Sequence, residues 1–217
     1  MCFSALVSFT AAGLLGLTGV ATLAQVRKRS ELPLAFTPLL FAAQQAIEGA
    51  LWLSVPEGRA HSLTLANIFA AIALVVWPVM IPLAVALVEK EPLRRLLMLI
   101  MIPAGIGVAV YSAGTTLAHP YMAWPVGHAL TYVDNHPYSP TMLAIYLFCT
   151  CLPPLISSSR ILNLFGVIVA AGLGIAMLAF YESFVSVWCF FAALASLTLF
   201  SYFRERRAAM TRTPRGY

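Results

Sequence analysis

The stretch LTLANIFAAIALVVWPVMIPLAVALV, Leu63–Val88, runs without a charged residue until EKEPLRR, Glu89–Arg95, ends it. A helix needs roughly 20 apolar residues to cross a hydrocarbon core. The run is continuous rather than alternating, so it reads as a spanning helix and not as a strand of a lipid-facing barrel. Six more runs of this kind appear on either side, and the seven cover about Ser4–Gln25, Leu32–Ser54, Leu63–Val88, Leu96–Leu117, Thr141–Ser157, Leu162–Phe180 and Phe184–Phe203. The fold class expected is an all-α, seven-transmembrane-helix bundle over residues 1–203, with a basic tail at 204–217.

Composition supports this reading. Of 217 residues, 61% are hydrophobic and 10% charged, and the mean hydropathy is +0.88. Too few polar residues exist to coat a water-facing surface, which excludes a soluble domain, a disordered chain and a nucleic-acid binder. Cys2, Cys149, Cys151 and Cys189 follow no zinc-finger or C-x-x-C spacing, and the last three read as small buried hydrophobes.

The net charge of +5 is informative through its placement. Arg27, Lys28 and Arg29 follow the first run; Lys90, Arg94 and Arg95 the third; Arg160 the fifth; and Arg204, Arg206, Arg207, Arg212 and Arg215 the seventh. Twelve of thirteen basic residues thus fall on one side, leaving Arg59 on the other. By the positive-inside rule the amino terminus is expected outside and the carboxyl terminus in the cytoplasm. The first run has its basic cluster after it rather than before it, as in a retained anchor and not a cleaved signal peptide. Small residues recur every four positions at Ser4, Ser8, Ala12 and Gly16, and at Gly166, Ala170 and Gly174, and read as helix-contact faces. Kinks are expected at Pro78, Pro82, Pro103 and Pro153–Pro154.

Ionisable side chains inside a span cost roughly 2.5–3.5 kcal/mol at a helix centre, so each needs a partner or a use. Glu48 lies in the second run, and at 100° per residue Phe41, Gln44, Gln45, Glu48 and Trp52 fall within roughly one 100° arc. Glu182 begins a stripe with Ser186 and Cys189 at the turn into the seventh run. Asn67 and Tyr111 add hydrogen-bonding groups at similar outer depth. No span carries a Lys or Arg, so Glu48 is expected to be a neutral, hydrogen-bonded acid or to hold a cation. The long connector Ala118–Pro140 carries His119, His128 and His136, which could hold a divalent metal ion above these acids, although their spacing matches no metal motif. The alternative is a loop of interfacial aromatics and histidines.

The opening Met1-Cys-Phe-Ser-Ala5, the Gln44-Gln45-x-x-Glu48-Gly49-x-x-Trp52 stretch and Ser186-Val-Trp-Cys-Phe-Phe-Ala192 resemble a group of uncharacterised bacterial integral membrane proteins. The resemblance implies residence in a bacterial cytoplasmic membrane and brings no activity. No lysine stands in a span to form a retinal Schiff base, no span holds the paired histidines of ceramidase-like hydrolases, and P-loop, H-E-x-x-H and G-x-S-x-G motifs are absent.

These features favour a binding or sensing protein whose outward-facing polar cavity, built around Gln44, Gln45, Glu48, Trp52, Asn67, Tyr111, Glu182 and Ser186, takes a small ligand or metal ion. The alternatives are a proton- or ion-coupled transporter, a non-catalytic subunit that binds the helices of a membrane partner and, with least support, a membrane enzyme. The partners expected are the lipid bilayer and such a ligand, with no nucleic acid.

Overall fold

A computed structural model describes residues 4–54, 61–133 and 139–212. Its helices are α1 (Ala5–Leu23), α2 (Leu32–Ser54), α3 (His61–Ala71), α4 (Trp77–Val88), α5 (Pro92–Ala118), α6 (Pro140–Leu155), α7 (Arg160–Ala179), α8 (Phe184–Ser196) and α9 (Thr198–Arg212). A π turn, Ile72–Val76, joins α3 to α4, and α8 passes into α9 at Leu197, so the described residues form seven rods that follow the seven apolar runs. Five rods, Ala5–Leu23, Ser62–Val88, Pro92–Ala118, Arg160–Ala179 and Tyr181–Ala208, are long and apolar enough to cross a membrane. α6 is a shorter apolar helix. α2 has the length, but it is the helix that carries Gln44, Gln45 and Glu48.

Local chemistry sets the boundaries. The Ser4 hydroxyl caps α1 by accepting from Val7 N at 3.4 Å, and Ser139 caps α6 by accepting from Met142 N at 3.4 Å. Pro92 and Pro140 occupy first-turn positions of α5 and α6, where a missing N–H costs nothing. Within the third rod Pro78 has no N–H to return to the preceding turn, and the helix widens into the π turn just before it. The Tyr146 hydroxyl of α6 donates to the Ala73 carbonyl at 2.6 Å inside that turn.

The rods pack around a core that includes Leu15, Leu34, Ala84, Val85, Met98, Val187 and Leu199, all fully buried. The outside of the bundle is apolar as well: Leu17 is 74% exposed, Val110 68% and Leu178 91%. A monomer in water does not carry such a belt, whereas lipid covers it without cost. The contact face of α1 is Ser8, Ala11, Leu15, Gly19 and Thr22, so it turns away from the expected stripe: a Cβ at Gly16 would meet nothing, and one at Gly19 would lie 2.6 Å from Leu39. On α7 the close approaches are Gly166 to Leu155 and Gly172 to Phe191, and Gly174 faces open space. Leucine and phenylalanine fill the grooves as readily as small residues do, so four-residue spacing alone does not pick the face.

The expected all-α architecture needs one correction. The connector after α5 holds a β-hairpin, β1 (Met122–Val126) paired antiparallel with β2 (Ala129–Val133), in register from Met122 opposite Val133 to Val126 opposite Ala129. Gly127, at φ 57°, takes the left-handed conformation that the two-residue turn with His128 requires. Leu130 and Ala123 point inward and pack with Leu51, Ala66, Phe69 and Cys189, which seats the hairpin on the ends of α2, α3 and α8.

Two buried acids fasten the opposite, basic end. Glu31 accepts from Arg27 N at 2.9 Å and Lys28 N at 3.2 Å and pairs with Arg206 Nε at 3.3 Å, which ties the α1–α2 turn to α9. Glu89, at the end of α4, accepts from Lys90 N, Glu91 N, Ser157 Oγ and Ser158 N at 2.8–3.0 Å, and from the Ser158 hydroxyl. Burial by itself would raise the Glu89 pKa, but the hydrogen bonds from Ser158, Glu91 and Ser157 outweigh it and hold the carboxyl at about 2.

Candidate functional site

Glu48 is fully buried on α2, and its two oxygens accept hydrogen bonds from different sources. Oε1 accepts from the Ser186 hydroxyl of α8, and Oε2 accepts from Gln45 Nε2 at 3.3 Å. Gln44, on the same face, accepts from Trp77 Nε1 at 3.0 Å, and the Trp77 ring stacks on Phe41 at 4.1 Å. α2 is thereby joined through polar contacts to α8 on one side and α4 on the other. Gln45 Oε1 and Trp52 Nε1 are buried with no hydrogen-bond partner, and a buried polar atom left unpaired costs about 1–3 kcal/mol.

One layer nearer the hairpin lies a cavity of about 570 Å³, walled by Phe69 and Ala73 of the third rod, by Tyr121, Leu130 and Tyr132 of the hairpin segment, and by Tyr181–Val185 at the start of α8. That volume is within the range of about 300–1,000 Å³ typical of small-molecule sites. Its walls are fixed. Asn67 clamps the hairpin through its side chain, with Nδ2 donating to Tyr121 O at 3.1 Å and Oδ1 accepting from Tyr121 N at 3.0 Å. Tyr132 stacks on Phe69 with centroids 4.4 Å apart and rings 6° from parallel. Thr131 Oγ1 and Ser183 Oγ lie 2.7 Å apart, joining β2 to the turn before α8.

The structure thus divides the candidate residues. Gln44, Gln45, Glu48 and Ser186 come together, with Trp52 packed at the edge of the hairpin cluster. Asn67 is engaged with the hairpin backbone and does not join the Glu48 network through these bonds. Glu182, expected at buried depth beside Glu48, is exposed at the cavity, in the short turn Tyr181–Ser183 between α7 and α8. Tyr111 lines a separate cleft of about 50 Å³ with Ser112, Thr115 and Tyr146. His119 and His128 are exposed, the second at the hairpin tip, and His136 and Cys2 lie outside the described residues. Among the described residues no three His, Cys, Asp or Glu side chains stand close enough to hold a metal ion.

The reading of the residues missed Trp77, whose indole N–H had to find an acceptor within the bundle; an indole opposite a buried amide is the signal that could have paired them. It also missed the Thr131–Ser183 link, which depends on the hairpin.

Fold and site together describe a helical protein with several helices of membrane-spanning length and character and a partly open cavity at the hairpin end. The chain belongs to the Family of unknown function (DUF6629), which matches residues 1–214. No curated protein and no solved structure matches it.

Proposed function

We propose that this is a multi-pass protein of the bacterial cytoplasmic membrane, with seven spans, the hairpin outside and the Arg-rich end in the cytoplasm, and that it binds a small organic ligand in the cavity beneath the hairpin. The carrying observation is the cavity itself, whose walls are pre-set by Asn67, by the Phe69–Tyr132 stack and by the Thr131–Ser183 bond. A site organised before its ligand arrives loses less entropy on binding. The Glu48–Ser186 bond supports the reading from below, since it fixes α2 against the segment of α8 that follows Val185 in the cavity wall. The charge asymmetry supports the orientation.

Two measurements test the proposal. Single cysteines at Arg27 and Arg204 should resist a membrane-impermeant maleimide in intact cells while one at His128 reacts; labelling at Arg204 would reverse the topology. Thermal unfolding of the purified protein across a panel of small molecules should show at least one that stabilises it. Val185→Trp, which fills the cavity, should abolish that shift, and an unchanged shift would place binding elsewhere.

A further inference from the structure

The chemistry of the cavity wall narrows the ligand, and the argument rests on the binding reading above. Tyr181, 75% exposed, stands at the mouth, Phe184 and Tyr132 are half-buried further in, and Tyr121 closes the wall. Phe69, also in the wall, is fully buried and stacks against Tyr132, which holds the two rings in place. Among the described residues that line the cavity, Glu182 carries the one charge, and it neighbours Tyr181 in the same short turn.

We propose that the cavity is an aromatic cage for an organic ammonium ion, the positive charge lying against the aromatic side chains and facing the Glu182 carboxylate. Aromatic faces carry a negative quadrupole that attracts weakly hydrated cations, and cages of this composition suit quaternary ammonium groups. An anion would meet Glu182 with no basic residue among the described lining residues to offset it. A neutral apolar ligand would fill the volume but leave the placement of Glu182 without use. The ammonium group can belong to a soluble amine or to the head group of an outer-leaflet lipid, since the chemistry recognised is the same.

The test uses the full-length protein in nanodiscs of phosphatidylglycerol, with choline as probe, its neutral carbon isostere dimethylbutanol as control, and calorimetry as readout. Choline should bind, and the isostere should bind roughly tenfold more weakly. Glu182→Gln and Tyr181→Leu, both at exposed positions that tolerate change, should each weaken choline by a similar factor. Glu205→Gln, at the basic end, should leave it unchanged. Repeating the titration in phosphatidylcholine discs separates the sources: weaker choline binding there means that lipid head groups compete, and equal binding means that a soluble amine is the ligand, each in keeping with the cage. Equal affinity for choline and its isostere would overturn the cation class and leave the cavity reading standing. No heat from either compound would overturn the cage and leave the cavity reading to the thermal panel and Val185→Trp.

Discussion

Glu48 shows how one acid can be tolerated in an apolar helix. Ser186 and Gln45 each donate to one of its oxygens, so deleting the carboxyl removes two buried hydrogen bonds. Each buried bond lost from one side costs about 1–3 kcal/mol. Glu48→Ala is therefore expected to lower stability by about 2–6 kcal/mol, and Glu48→Gln by less, because the amide oxygen still accepts from Ser186. Thermal unfolding in detergent, compared with Ser186→Ala, checks the order; equal and small losses for all three would remove the network from the stability of the bundle. The face holding Gln44, Gln45 and Glu48 was legible from helical spacing, since three polar residues on one arc of an apolar helix have to turn inward. Their partners were not, because spacing within one helix says nothing of which helix lies opposite.

Among the elements, the rods followed the apolar runs closely, and α2 spans Leu32–Ser54 as the sequence implied. The hairpin was hidden by its composition. Pro125 stands inside β1, His128 in the turn, and the buried positions are Ala123 and the adjacent pair Ala129 and Leu130, which do not form a long alternating pattern. Helix spacing is set as sharply by single glycines. A Cβ on Gly105 would lie 2.0 Å from the Pro78 carbonyl oxygen, whereas one on Gly107 would meet nothing within 4 Å. Gly105→Ala should force α4 and α5 apart at a cost of about 1–3 kcal/mol or more, with Gly107→Ala near neutral; the paired unfolding curves decide, and equal curves would deny the close approach. The α4–α5 and α6–α7 turns are held by Glu89, whose carboxyl sits at about 2 against an ordinary 4.5. A depressed carboxyl stabilises the fold fully above its unfolded pKa and loses that contribution as pH falls toward the folded value. The stability gap between wild type and Glu89→Gln should thus hold steady above pH 4.5 and narrow between 4.5 and 2. A gap that did not change with pH would show that the acid acts through shape alone.

At the scale of the whole molecule the two ends differ in kind. The basic end is tied by acids, Glu31 to Arg206 and Glu89 to the serines after α6, and the hairpin end is tied by Asn67, an aromatic stack and a hydroxyl pair. The bond between Glu48 and Ser186 also reaches across the chain, and that distance has a consequence for how the protein is made. Ser186 is synthesised 138 residues after Glu48. At about 5–20 residues per second, the ribosome takes roughly 7–28 s to cover that interval. Throughout it the Glu48 carboxyl lacks the Ser186 hydroxyl, so the polar face of α2 gains this partner only when α8 arrives. On the proposed seven-span topology, a chain stopped after Phe180 should therefore leave a cysteine at Ala46 of α2 open to aqueous maleimide, and the complete chain should protect it; equal protection would mean that α2 is secure before α8 exists.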